Sequence, residues 1–182
     1  MFHLNTEQLI DYWRAQRGAE AMPRRSSIDP AHMLSVLPRV FMLGRRGPGL
    51  YQVRLAGGFV EDLHGRNLRG EDFLHLWRHE HRTSLQMALE AVRRRGEPVV
   101  VTCEARPQSG APMSMEVALA PLVASNGEVN RFLGLYQPVS PVAALQGQPV
   151  ICLSIREIDT PDSGAEAFPR LRLAAMHGKR IA

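Results

Sequence analysis

Apolar and polar residues alternate through several short stretches of the chain, a two-residue period that is typical of β-strands. Residues 40–43 and 50–56 flank the tripeptide Gly47-Pro48-Gly49, whose composition favours a tight reversal of the chain. The pattern predicts a β-hairpin with one face in a hydrophobic core. The apolar side of its second strand carries Tyr51, Val53 and Leu55.

Three more strands are predicted at residues 99–106, 113–123 and 129–138. The segments between them are short and rich in Gly, Pro, Ser and Asn, so we expect consecutive antiparallel pairing. Further on, the pattern indicates one more short strand at residues 150–155, while residues 170–175 either add an edge strand or remain loose. In the middle strand of the three, one face carries Met113, Met115, Val117 and Leu119.

Other segments have the 3.6-residue period of helices. Residues 6–16 predict an amphipathic helix, which either packs on its own domain or pairs with a second subunit; the pattern leaves both open. Short helices are predicted at residues 59–64 and 71–77, followed by a longer one at 78–95 that ends at Gly96. On that longer helix His81 shares a face with apolar residues, so we expect its imidazole on the core side.

A chain of 182 residues fits one domain with extensions. The elements divide it into an N-terminal helix with a lead-in loop at residues 1–38, an α+β core at 39–140, and a partly flexible C-terminal extension at 141–182. The core is expected to be a five-stranded antiparallel sheet with helices over one face.

The composition and charge of the chain limit the classes of partner that we expect. No apolar stretch approaches the length of a membrane span, and residues 1–9 lack the pattern of a secretory signal, so a cytoplasmic location without membrane contact is expected. The pI of 9.7 comes almost wholly from arginine, but the arginines are dispersed along the chain. Nucleic acid is therefore an unlikely partner, and the positions of cysteine and histidine predict no metal site.

Enzyme motifs are also missing from the sequence. It contains no P-loop, no G-x-S-x-G, no H-E-x-x-H, and no G-x-G-x-x-G after a strand. We therefore predict that the protein is not an enzyme and that any signal passes to another protein.

The local sequences resemble a known family. The chain contains P-R-R-S-S-I-D-P, L-P-R-V-F, Y-Q-V-R-L-A-G-G, G-R-N-L-R-G, L-A-P-L-V and R-F-L-G-L in that order, after Trp13 in the first helix. Together these motifs resemble small single-domain bacterial PAS-like proteins over about residues 7–138. Ser27 and Gly58 depart from the pattern, because an acidic residue and Thr or Ser, respectively, are expected there.

The resemblance implies a sensory or regulatory module with a pocket between sheet and helices. PAS relatives hold haem, flavin or small organic molecules there, or hold nothing and act through protein contacts. The segment G-R-N-L-R resembles the flavin-adduct signature of light-sensing PAS domains, yet Leu68 stands where their reactive cysteine would be. A covalent flavin adduct is thus disfavoured, whereas noncovalent flavin and haem stay open, and His81 is the candidate axial ligand if haem binds.

The sequence therefore leaves three functions open. The first is a regulatory PAS module that contacts a signalling protein. A small ligand or a partner would bias how its helices pack against the sheet. A homodimer through the N-terminal helix is an option. The second is a haem-binding gas or redox sensor, and the third is a nucleic-acid-binding regulator. The candidate pocket residues are Val53, Arg54, Leu55, Asn67, His81, Met115, Val117, Leu133 and Leu135.

Overall fold

A curled antiparallel sheet forms the centre of the structure, a computed structural model that describes residues 1–161. The α+β fold class is confirmed, but the sheet has a sixth strand beyond the predicted five. In space the strands follow the order β2-β1-β5-β4-β3-β6, and every neighbouring pair is antiparallel. They are β1 (Val40–Gly47), β2 (Leu50–Ala56), β3 (Val99–Pro107), β4 (Met113–Val123), β5 (Val129–Pro138) and β6 (Val150–Asp159).

Strands β1 and β2 form the predicted hairpin. Its turn places Gly49 at a φ of 73°, a left-handed conformation that glycine adopts without steric cost. Met42 pairs with Leu55 and Leu43 pairs with Val53, so Arg54 is the extra residue of a β-bulge. The bulge breaks the alternation, and the prediction that Leu55 shares the buried face of Val53 is wrong: its side chain is 53% exposed.

The helices are α1 (Leu4–Arg17), α2 (Gly58–His64) and α3 (Arg82–Arg95), with 3₁₀ turns that include Phe73–Leu76 and His79–His81. The helical stretch predicted over residues 71–95 is thus interrupted. Trp77 has an extended backbone and forms an isolated bridge with Leu153, and the amide of Arg78 donates to the Leu153 carbonyl at 2.9 Å. The Trp77 amide still donates to the carbonyl of Leu74 at 3.2 Å, which closes the 3₁₀ turn, but the pairing with β6 interrupts the helical path there, and α3 begins only at Arg82.

The sheet buries a hydrophobic layer on each face. Helix α2, the 3₁₀ turns and α3 cover one face and enclose what we call the inner core. Helix α1 lies on the opposite face, where Leu9, Ile10 and Trp13 pack on the sheet in a smaller outer core. The Trp13 indole Nε1 donates to the carbonyl of Pro121 at 2.8 Å, which fixes α1 on its own domain. The apolar stripe of α1 is therefore used within the chain, and a homodimer through this helix stays a prediction.

Strand β6 extends the sheet past β3 and continues the short strand predicted at residues 150–155. The edge strand predicted at residues 170–175 lies outside the described residues, as does most of the predicted C-terminal extension. Within residues 1–161, no helix combines the length and the apolar character that crossing a membrane requires.

Candidate functional site

Seven buried side chains fill the centre of the inner core, between the sheet and the helices. The ring of Phe41 stacks on that of Phe73 with centroids 5.3 Å apart and meets the ring of Tyr136 edge-on at 5.1 Å. No space that would admit a water molecule remains among the seven side chains. We call this group the aromatic interior: Phe41, Val53, Val60, Leu68, Phe73, Leu76 and Tyr136.

A buried histidine borders the aromatic interior. His64 ends α2, and its Nδ1 lies 3.2 Å from the carbonyl oxygen of Val150 while its Nε2 lies 3.3 Å from the Tyr136 hydroxyl. A carbonyl only accepts, so Nδ1 carries the proton and Nε2 accepts from the Tyr136 hydroxyl. Burial lowers the pKa of His64 to about 4, so the ring is neutral at physiological pH. The pair thus joins α2, β5 and β6 through neutral groups.

A charged network joins α3 to the hairpin. Glu90 Oε1 accepts from the Tyr51 hydroxyl and from Arg45 Nε, both at 2.6 Å, and Glu90 Oε2 accepts from Arg93 Nε at 3.0 Å. Burial opposes the charged form of Glu90, but the hydrogen bonds from Tyr51, Arg45 and Arg93 outweigh it and lower its pKa to about 2. One carboxylate therefore holds the helix against both strands of the hairpin.

An apolar groove of about 350 Å³ lies between α3, the start of β3 and the end of β6. Met87 is 62% exposed at its surface, and Glu90 lines the groove as well as binding the hairpin. Arg93, Arg94 and Arg95 make the last turn of α3 basic. We call it the α3 groove; its other apolar lining residues are Ala88, Ala91, Val92, Val99 and Ile158.

Three of the candidate pocket residues lie on the helix-covered face of the sheet. Val53 belongs to the aromatic interior, and Met115 and Val117 lie in the inner core around it. Whether any of them contacts a ligand stays a prediction.

The other strand candidates face elsewhere. Leu133 and Leu135 lie in the outer core under α1, because on β5 it is Phe132 and Tyr136 that face the helices. The sequence-based assignment was therefore one residue out of register, which reverses the face of every side chain in a strand. Arg54 and Leu55 are both exposed at the bulge, outside the aromatic interior.

Asn67 is exposed as well. Its Oδ1 accepts from the amide of Arg69 at 2.8 Å, an Asx turn that shapes the loop after α2. The next residue, Leu68, is buried in the aromatic interior.

His81 connects the start of α3 to β6. It precedes the helix rather than lying within it, and its Nδ1 accepts from the amide of Ile155 at 3.0 Å. Burial lowers its pKa, an effect partly offset by the charge of Glu80. The expectation that His81 points into the core from a helical face is wrong, because the 3₁₀ turn at His79–His81 directs it to the backbone of β6.

The aromatic interior as packed does not fit a haem or flavin ring. Its side chains already occupy the space between sheet and helices, and a flat ring system would have to displace several of them. The polar groups at its border, on His64 and Tyr136, are bonded to each other. His81 Nδ1, the nitrogen in contact with β6, already accepts a hydrogen bond.

Sequence reasoning missed the residues that dominate this region. Phe41, Phe73 and Tyr136 fill the interior, His64 borders it, and Glu90 ties α3 to the hairpin. The position of His64 carried one signal: it follows Val60 by four residues, so a helix that buries Val60 also buries His64. The position of Glu90 gave no such signal in the sequence, because a glutamate on a helix is ordinarily solvated.

A family model described as PAS domain matches residues 1–137. No curated protein matches the chain at a significant level.

Several solved structures are similar to this chain. A light-oxygen-voltage domain studied with a flavin analogue is 18% identical, with a TM-score of 0.48 over 64% of this chain and 87% of that one. A light-oxygen-voltage protein of Rhodobacter sphaeroides is 13% identical, with a TM-score of 0.46 over 65% and 72%. The PAS domain of BvgS from Bordetella pertussis is 15% identical, with a TM-score of 0.44 over 62% and 87%.

Proposed function

The chain belongs to the PAS domain family of sensory and regulatory modules, and from this premise we propose that it regulates a partner protein by direct contact, without a bound haem or flavin. The observation that carries the proposal is the filled aromatic interior. Phe41, Phe73 and Tyr136 occupy the space where a ring cofactor would have to lie. A module whose interior is filled responds to molecules that bind on its surface.

The α3 groove is the surface that best suits a partner. An exposed methionine adapts its shape to different apolar surfaces, and Met87 lies beside Ala88 and Ala91. The basic last turn of α3 borders the groove. These features favour a partner segment that presents apolar side chains flanked by acidic ones, since charge complementarity steers and orients such contacts.

The groove is coupled to the sheet through Glu90. This residue lines the groove and also accepts hydrogen bonds from Tyr51 and Arg45 on the hairpin. A partner that shifts Glu90 therefore changes how α3 is held against the sheet. Such a partner favours one arrangement of α3 on the sheet over another only if it binds the two arrangements with different affinity.

The first experiment tests the absence of a ring cofactor. The full chain, purified from its own cells, is examined by absorption spectroscopy and native mass spectrometry. We expect the mass of the polypeptide and no visible bands. A Soret band that is lost in His81→Ala would establish the haem alternative, and a flavin spectrum with the matching added mass would equally contradict the proposal.

The second experiment tests the groove. Wild type, Met87→Asp and Leu34→Asp are used to capture proteins from a lysate of the same cells; Leu34 is a matched control because it is 69% exposed, against 62% for Met87. We expect a protein retained by wild type and Leu34→Asp to be lost with Met87→Asp. Equal retention by all three would contradict the assignment of the α3 groove.

A further inference from the structure

A second cavity, of about 270 Å³, lies on the face of the sheet opposite the aromatic interior. It has several times the volume that one water molecule occupies, roughly 30 Å³. Three of its lining side chains are guanidinium groups and two are hydroxyls. We call it the arginine cavity: Arg24, Arg25, Ser26, Val123, Ala124, Ser125 and Arg131.

The fold assembles this cavity from distant parts of the sequence. Arg24 forms a parallel bridge with Val123 at the end of β4, and the amide of Val123 donates to the carbonyl of Pro23 at 3.0 Å. These contacts hold the loop after α1 against the sheet. Arg131, on β5, pairs with Leu122 of β4 and so lies next to the loop. Arginines that look dispersed in the sequence therefore meet at one place.

Two further arginines, Arg46 on β1 and Arg54 on β2, extend the positive charge from the cavity across the hairpin. Gly44 lies between Arg54 and Arg131: a Cβ at Gly44 would be 3.1 Å from Arg54 Cγ and 3.4 Å from Arg131 Nη1. The missing side chain allows both arginines to lie over β1. Burial, and then the like charges of Arg54, Arg46 and Arg25, lower the pKa of Arg131.

Carboxylates balance only part of this charge among the residues that the structure describes. No Asp or Glu lines the arginine cavity. Arg24 pairs with Glu20 at 3.6 Å, but Arg25 donates to the sulfur of Met42, and Arg131 donates to the carbonyl and side-chain oxygens of Asn130. In the described range Arg46 and Arg54 both donate to Gln52 Oε1 and form no ion pair.

We propose that the arginine cavity binds a phosphate group, either as inorganic phosphate or as part of a phosphorylated small molecule. A phosphate presents several acceptor oxygens, and arginine's planar fork matches two of them at once. Arg25 and Arg131 supply the charge, and the hydroxyls of Ser26 and Ser125 donate to the remaining oxygens. An anion at this position also relieves the repulsion among Arg25, Arg46, Arg54 and Arg131.

The test is a titration of the isotope-labelled full chain with inorganic phosphate and, separately, with glycerol 3-phosphate, at constant ionic strength and followed by NMR. We expect saturable shifts at amides of the cavity, including Ser26 and Ser125. Tighter binding of glycerol 3-phosphate identifies a phosphorylated small molecule as the ligand class, and tighter binding of inorganic phosphate identifies the free ion. Both results support the proposal.

Variants separate a built site from general attraction to a basic protein. Arg131→Gln and Arg25→Gln are each expected to weaken binding about tenfold or more, because each removes charge-assisted hydrogen bonds. Arg25 is exposed in a short 3₁₀ turn, so its variant is informative even if Arg131→Gln fails to fold. Arg69→Gln removes the same charge from an exposed position outside the cavity and is expected to leave binding unchanged.

Three results would overturn the proposal. One is the absence of saturable binding by either phosphate compound. Another is an equal loss of affinity in Arg69→Gln. The third is binding of a single-stranded oligonucleotide when neither phosphate compound binds, which would identify the cluster as a nucleic-acid surface instead.

Discussion

The ring of Phe41 lies on the α-carbon of Gly134, its partner on the neighbouring strand. A Cβ at position 134 would be 2.2 Å from Phe41 Cζ, far inside van der Waals contact. The same ring stacks on Phe73 and meets Tyr136. The missing side chain at Gly134 is therefore what lets Phe41 fill the aromatic interior.

Gly134→Ala should displace the Phe41 ring and lower the free energy of unfolding by about 1–3 kcal/mol, the usual cost of overpacking a core. Urea denaturation measures the change. Gly58→Ala is the control, because a Cβ at Gly58 meets nothing within 4 Å and its φ is not in the left-handed range. A Gly134→Ala protein as stable as the control would show that the ring moves aside freely.

Phe41→Ala should open the aromatic interior. The loss of a buried phenyl ring is expected to cost about 3–5 kcal/mol and to leave an apolar cavity. Small aromatic probes such as benzene or indole should then raise the melting temperature of the variant and leave that of wild type unchanged. Equal effects on both proteins would mean that the interior of wild type already admits such molecules.

The buried His64 should make stability depend on pH. Its pKa is about 4 in the folded protein and ordinarily 6.5, so the unfolded state binds more protons between these values and stability falls as pH decreases from about 6.5 to about 4. The full contribution is roughly 3 kcal/mol. Denaturation midpoints at a series of pH values should show this slope in wild type and a weaker one in His64→Gln.

His79→Gln provides the control for that series, since His79 is exposed. It should keep the wild-type slope. The range from pH 4.5 to 6.5 is the most informative, because Glu90 contributes its own pH dependence only at lower values. His81, whose pKa is also lowered by burial, is present in wild type and in both variants, so its contribution cancels in the comparison.

Glu90→Ala should loosen α3 from the hairpin. It leaves the buried Tyr51 hydroxyl without its acceptor, a loss of about 1–3 kcal/mol, whereas Glu90→Gln keeps an acceptor oxygen and should cost less. Because the pKa of Glu90 is lowered to about 2 from 4.5, its contribution is complete above pH 4.5 and is lost as pH falls toward 2. Hydrogen exchange at α3 amides measures the loosening.

The matched control is Glu80→Ala, which breaks the surface ion pair with Arg78. Stability and exchange in α3 should stay close to wild type. Faster exchange in Glu80→Ala than in Glu90→Ala would argue against the network as the link between helix and hairpin.

Much of the fold could be predicted because alternation and turn residues are local signals. The hairpin, the three later strands and the inward face of Met113, Met115 and Val117 all follow from them. The face of β5 could not be predicted, because Phe132, Leu133, Leu135 and Tyr136 leave both faces apolar and both faces are in fact covered. A strand that is buried on two sides has no polar face to mark its register.

The site was harder to predict because its features depend on contacts between distant residues. The bulge at Arg54 follows from pairing with β1, and the orientation of His81 follows from β6. The meeting of Arg25 with Arg131 depends on the loop bridged to β4. None of these contacts leaves a periodic trace in the sequence.

Strand β6 also has a protective effect. It pairs along β3, which opens with Val99, Val100 and Val101, a run of high β-propensity without charge. Left unpaired, that edge would offer its backbone groups to β3 of another molecule and seed intermolecular aggregation. Strand β6 covers this edge of β3 and carries the charged residues Arg156 and Glu157 near its own C-terminal end. A chain cut after Pro138 lacks β6, so it should precipitate under conditions in which the longer chain stays in solution.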